Sequence, residues 1–267
     1  MNDSGDQGDT EGMGDTESSR NTEDEARAEV RLETADLQGL VVVVAGATGA
    51  AGPALVTRLA GAGATVVAIG THEDRLHRVV EMAAVASGSD RIEAAVVDLL
   101  DAEATQTLAR ELVARHGHVD GLAHLVGGWR GGASLVEEPL ADWDWLNDLL
   151  IRTLMSSTRA FHDALRDSPC GRLVLISTTQ TQAPSANNAM YAAAKAAAET
   201  WTLAVADSFA GSAAAAVILP IKALLTPAMR AAKPDAKFTG YTHVADLADT
   251  IHDLWGQPAA DLNGKRL

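Results

Sequence analysis

The sequence predicts an α/β fold, a doubly wound parallel sheet with helices on both faces, over residues 37–267. Three observations carry this. Short β-branched or Ala-rich runs alternate with helical stretches along that span, which implies right-handed βαβ crossovers and a parallel sheet. Four valines at 41–44 open the series and read as a strand buried on both faces. Gly46, Gly49 and Gly52 follow at three-residue spacing. A glycine inside a regular element costs about 0.5–1 kcal/mol relative to alanine, so these three need a reason.

The elements follow in order. Residues 41–45 are the first strand. After the glycines, Pro53 suits the first turn of a helix, where its missing N–H costs little. Gly61 and Gly63 end that helix, and "TVVAIG" (65–70) is the second strand. Further strands are expected at 91–99, 119–127, 171–178 and 213–220. Helices are expected at 73–86, 102–116, 139–165 and 189–210.

Residues 1–36 stand apart. They hold 12 Asp/Glu against 3 Arg, which is −9 of the formal −15 charge, and no aromatic residue. Such composition cannot offset ordering entropy and reads as a disordered, solubilising tail. The acidic balance argues against a general nucleic-acid footprint. The longest apolar runs are too short for a membrane span, and the acidic start is unlike a signal peptide. The lone Cys170 permits no internal disulfide. The chain reads as a soluble cytoplasmic protein with a small-molecule substrate, and without nucleic acid or membrane as partner.

The glycines have a physical explanation. At the carboxyl end of the first strand, one allows a tight turn, a second lets the backbone approach a pyrophosphate, and a third lets the helix pack closely. The free N–H groups at the helix start favour phosphates. This Rossmann-like reading places Gly46, Thr48, Gly49, Ala50 and Gly52 at a dinucleotide.

Positions i and i+4 share a helix face, so "YAAAK" sets Tyr191 beside Lys195. A cation about 4 Å away is worth roughly 1–4 kcal/mol and would lower the phenol's pKa from near 10. The phenol then serves as an acid for a carbonyl or a base for an alcohol.

With the Gly-rich turn about 145 residues earlier, this pair makes the chain resemble the short-chain dehydrogenase/reductase family over nearly all of residues 38–235. "VVDL" (96–99), "HVDGLAHLVGG" (118–128) and "PIKALLTPAM" (220–229) match further family positions. The resemblance implies an NAD(P)-dependent oxidoreductase. It implies Tyr191, Lys195 and Thr178 as catalytic residues, and Lys195 on the nicotinamide ribose. It adds Asp98 and Leu99 at the adenine, and Gly127 and Thr226 on the cofactor. It also implies a homodimer or homotetramer built through the helices of 139–165 and 189–210. Residues 222–240 look like the family's substrate lid.

The chain departs from the pattern in places. Thr178 stands where the family has a catalytic serine, with Ser177 in reserve because alternation points it away. "HLVG" (124–127) replaces an amide-bearing motif, Leu150 falls where a relay asparagine is usual, and Ile221 replaces a glycine. These keep two alternatives open: a cyclase, dehydratase or isomerase using the same Tyr/Lys pair, or a non-catalytic nucleotide-binding regulatory protein.

An acid after strand two would bind a ribose 2′-hydroxyl and repel a 2′-phosphate. Thr71 stands there, with Arg75 within possible reach, so the expected cofactor is NADP(H). In "GGWRGG" (127–132), Trp129 and Arg130 read either as a mobile clamp for an anionic substrate or as a packed surface turn. His116 and His118 read as a solvated helix end, and no metal site is expected.

Overall fold

The computed structural model describes Met1 and residues 35–267. The expected acidic tail therefore lies outside the described residues, apart from Met1, Ala35 and Asp36. Strand β1 (Val41–Ala45) is buried at every position. Its alternation serves two cores. Val42 and Val44 face helices α1 (Gly52–Gly61) and α2 (Glu73–Ser87) through Leu55, Leu59, Leu76 and Val79. Val41, Val43 and Ala45 face the opposite layer. Successive side chains point to opposite faces, so a run of valines covers both.

The other strands are β2 (Thr65–Gly70), β3 (Ile92–Val96), β4 (Gly121–His124), β5 (Arg172–Thr178) and β6 (Ala215–Ile221). All pair in parallel in the order β3-β2-β1-β4-β5-β6. The order reverses between β1 and β4, which opens a crevice at their carboxyl ends. The second layer comprises α3 (Ala102–His116), a segmented helix and α6 (Ala189–Ser208), which contribute Ala109, Leu112, Phe161, Leu165 and Val205.

The segmented helix corrects a sequence expectation. Residues 139–165 were expected as one helix. They divide into α4 (Leu140–Asn147), a π-helical turn (Asp148–Arg152) and α5 (Thr153–Asp167). The Thr153 hydroxyl donates to the Leu149 carbonyl at 2.6 Å, taking up a backbone acceptor where the ladder loosens. Strands β3 and β4 are also shorter than expected. Beyond β6 lie β7 (Leu224–Leu225), α7 (Pro227–Ala232), β8 (Thr242–His243), α8 (Val244–Asp253) and α9 (Ala259–Leu262). Among the described residues, no helix is long and apolar enough to cross a membrane.

Two buried charged residues lock the amino ends of the strands. Asp120 accepts the Val41 N–H at 2.9 Å and the Ser168 hydroxyl at 2.7 Å, and lies 2.7 Å from His118 Nδ1. Arg172 donates to the carbonyls of Leu254, Gly171, Ala213 and Gln257 at 2.7–3.1 Å. His118, with a side chain 43% exposed, is solvated as expected and also reaches this network.

Candidate active site

The turn after β1 is shaped by what a side chain would strike. Gly46 has φ +82°, and a Cβ there would come within 2.8 Å of the Val126 backbone nitrogen. A Cβ on Gly52 would lie 2.0 Å from the Ala47 carbonyl oxygen. The two ends of the turn are therefore held against β4's exit loop and against the turn itself. The result is a backbone cradle that no side chain fills.

Two adjoining clefts of about 310 and 450 Å³ meet at Gly46, Gly49, Val126 and Gly127. One is bounded by Thr48, Thr71, Asp98 and Leu99, and the other by Ala50, Tyr191 and Lys195. Sites scattered over the sequence from 46 to 195 thus converge. Gly52, Thr178 and Thr226 lie off the cleft walls. Thr226 was expected at the cofactor. It caps α7, its hydroxyl accepting the Met229 N–H at 3.2 Å.

The Tyr191–Lys195 pair departs from the expected electrostatics. Burial raises the phenol's pKa above 10, and a hydrogen bond with the Thr178 hydroxyl only partly opposes this. Burial likewise lowers Lys195 to about 8, with the Glu199 carboxylate pulling it back up. Lys195 is 5% exposed, and its ammonium donates to the Ile176 carbonyl at 2.8 Å. The expected lowering of the phenol's pKa by Lys195 is therefore not found. Desolvation is the dominant influence on the phenol.

Thr178 and Ser177 are both 2% exposed. Thr178 ends β5, accepts the Gln180 N–H at 3.3 Å and does not line the cleft. Ser177 borders the cleft, but its hydroxyl donates to Glu199.

His124 holds the place of the missing amide. It is 1% exposed at the end of β4, with Nδ1 3.1 Å from Ser157 Oγ and Nε2 3.4 Å from Thr153 Oγ1. The Thr153 proton goes to Leu149, so that hydroxyl accepts from the ring's Nε2–H. Burial first, and the Lys195 charge second, lower the imidazole's pKa to about 3. His124 is neutral at physiological pH. Leu150, in the relay position, is buried within the π turn beside Leu146 and Ala194.

Side-chain contacts brace the 127–132 loop. Trp129 Nε1 donates to Asn188 Oδ1 at 2.8 Å, just ahead of α6. Arg130 donates to Asp142 at 2.8 Å and lies over the Trp145 ring at 4.3 Å. Its charge is therefore already engaged. Trp129 remains on the cleft wall.

Fold and cleft together define an α/β protein of the doubly wound, Gly-rich-turn class. The family model for short chain dehydrogenase matches residues 40–236. The chain belongs to the short chain dehydrogenase family of oxidoreductases. It is 30% identical over 168 residues to sulfoacetaldehyde reductase 2 of Chromohalobacter salexigens, covering 61% of this chain and 64% of that one. The chain thus spans a little under two thirds of that relative. A short chain dehydrogenase of Shigella flexneri complexed with NADP superposes with a TM-score of 0.76 at 24% identity, covering 87% of this chain and 97% of that one. NAD+-bound xylitol dehydrogenase gives 0.75 at 18%, covering 87% and 98%. These structural likenesses show the fold.

Proposed function

We propose that the protein is an NAD(P)-dependent oxidoreductase interconverting a carbonyl and an alcohol on a small organic substrate, with Tyr191 as general acid/base. The observation that carries this is the convergence of the Gly-rich turn with Tyr191 and Lys195 on one cleft. A bound nicotinamide dinucleotide would supply or accept the hydride. The side-chain-free cradle at Gly46–Gly52 fits its phosphates, with backbone N–H groups at the start of α1 complementing their charge. Thr48, Gly49 and Ala50 border that cradle. Thr71, Asp98 and Leu99 would hold the adenosine end, and Gly127 and Lys195 the nicotinamide riboside.

The phenol of Tyr191 keeps its proton at neutral pH, because burial holds its pKa above 10. It is therefore set to donate to the oxygen of a carbonyl being reduced. Thr178 orients the phenol by hydrogen bond. Lys195, tied to the Ile176 carbonyl, places positive charge beneath the site without competing for the proton.

NADP(H) is the cofactor this reading favours. Thr71 carries no charge to repel a 2′-phosphate. The Arg75 guanidinium lies at the same end of the cleft, donating to the Thr48 carbonyl at 3.2 Å. The groove between α5 and α6, lined by Thr158, His162 and Trp201, is the surface for a homodimer or homotetramer, and the cytoplasm is the expected location. The non-redox reading is favoured by one observation, the buried Leu150 where a relay amide would stand.

The test is a fluorescence titration with NADPH and NADH, followed by cofactor oxidation in the presence of small aldehydes and ketones. Saturable binding with carbonyl-dependent oxidation is expected. Failure of both cofactors to bind would refute the proposal. Binding with a Tyr191-dependent reaction that consumes no hydride would move the assignment to the non-redox class.

A further inference from the structure

Behind β5 lies a polar network that the proposed reaction does not use. The segment 263–267 runs beside β6: Ile218 N–H donates to Lys265 O at 2.9 Å, and Leu267 N–H to Ile218 O at 3.0 Å. This seats Arg266 so that its guanidinium turns back under the end of β5. It donates to the Thr178 carbonyl and to Thr181 Oγ1, each at 3.0 Å, and to Glu199 Oε2 at 3.3 Å. The Thr181 hydroxyl lies 3.0 Å from both the Thr178 carbonyl and Glu199 Oε1. Glu199 also accepts from Ser177, and it stands one helical turn beyond Lys195. Both residues of the Ser177–Thr178 pair are thus held from behind, one by Glu199 and the other by Arg266.

From this geometry we infer that Arg266 is a positioning residue: through the Thr178 carbonyl and Glu199, it holds the Thr178 hydroxyl against the Tyr191 phenol. The inference rests on the reading of Tyr191 as the proton donor only for its functional meaning. The contacts of Arg266 with Thr178, Thr181 and Glu199 stand independently. Thr178 is the last residue of β5, paired with Ile221 of β6, and has φ −131° and ψ 148° directly before a short 3₁₀ turn, so strand pairing ends at this residue. A planar guanidinium donating to both the carbonyl and the carboxylate braces this strand end in a way a point charge cannot.

The test follows the ionisation of Tyr191 itself. The chain has two tyrosines, so Tyr241→Phe leaves Tyr191 alone. Biosynthetic 3-fluorotyrosine, a more acidic phenol, gives a single ¹⁹F NMR signal whose shift against pH reports the titration. The charged or titratable groups around it are Lys195 on its own helix, Lys222 on the cleft wall, His124 beneath, and Glu199 with Arg266 behind. The Thr178 hydrogen bond lowers the phenol's pKa, so loosening it raises the midpoint.

Arg266→Ala and Arg266→Lys are each expected to raise the midpoint by about 0.5–1 unit, the worth of one weakened hydrogen bond. Thr178→Val should raise it similarly. Adding either Arg266 variant to Thr178→Val should then produce no further change, because residues acting through one contact are not additive. Three results overturn the inference. They are an unchanged midpoint in Arg266→Ala, full restoration by Arg266→Lys, or the same shift in the Thr178→Val background, which would mark a direct charge effect. If Arg266→Ala fails to fold, the cycle is completed with Arg266→Lys. No cofactor or substrate is needed, so failure of hydride transfer and failure of this inference are separate results.

Discussion

The two ends of the central sheet bury ionisable groups to a similar degree and treat them differently. At the amino end, Asp120 and Arg172 are 2% and 3% exposed. Asp120 has three partners, and Arg172 donates to four carbonyls. At the carboxyl end, Lys195 is 5% exposed and has one hydrogen-bond partner among the described residues, a backbone carbonyl. Tyr191 is only partly buried and opens on a cleft. A buried charge with all its bonds made fixes structure, while one with bonds left to make is available for binding or chemistry. The sheet is closed at one end and left open on a cleft at the other.

The sharpest way to break that comparison is to disable one group at each end. We predict that Tyr191→Phe lowers turnover by roughly 10²–10⁴, the usual worth of a positioned acid, with little change in melting temperature. Asp120→Ala should do the reverse. The Val41 N–H and Ser168 hydroxyl lose a buried acceptor, costing about 2–4 kcal/mol of stability, while turnover per folded molecule stays unchanged. Denaturant unfolding and a turnover assay on both variants check this. An Asp120→Ala protein as inactive as Tyr191→Phe would contradict the division between the two ends.

His124 tests whether the carboxyl end carries a cost of its own. Its pKa falls from 6.5 in the unfolded chain to about 3 in the fold, so the folded state resists protonation. For a base with a depressed folded pKa, the unfolded chain binds the extra proton between those two values, and stability declines as the pH drops through that window. The slope is about 1.4 kcal/mol per pH unit below 6.5 for this one group. His124→Asn keeps hydrogen-bonding atoms near Ser157 and Thr153 but cannot titrate. It should lose less stability than the parent between pH 6.5 and pH 4 in urea melts. Parallel curves would show that His124 is not the titrating group.

Much of the fold was legible because its signals are local. The valine run, the spaced glycines and the alternation of strand with helix each occupy one stretch, and β1, β2 and α3 begin and end where the sequence indicated. Tyr191 and Lys195 were legible for the same reason, being four residues apart. What escaped is non-local or depends on burial. Arg266 meets Glu199 across 67 residues and Thr178 across 88. The pairing of Arg130 with Asp142 favours the packed turn over the clamp, two readings the sequence left level. The direction of Lys195 follows from its depth beneath β5, which i+4 spacing does not encode. The π turn at Asp148–Arg152 had no glycine or proline to announce it.

The smallest effect lies at the cleft's outer rim, where solvent weakens every charge. Thr71 hydrogen-bonds His72, with Oγ1 2.9 Å from Nδ1, so the side chain is held at the rim rather than projecting freely. A carboxylate introduced there would face a 2′-phosphate across partly solvated space. At about 4 Å such a pair costs roughly 1 kcal/mol in water and more where the protein excludes it. Thr71→Asp should therefore weaken NADPH binding by roughly five- to thirty-fold, and a carboxylate able to accept from a ribose 2′-hydroxyl should leave NADH unharmed or improved. The ratio of the two dissociation constants, measured by fluorescence at low and high salt, is the readout. Added salt should shrink the effect, because exposed charges are screened. A ratio unmoved by Thr71→Asp would place the ribose away from Thr71 and leave Arg75 without the role proposed for it.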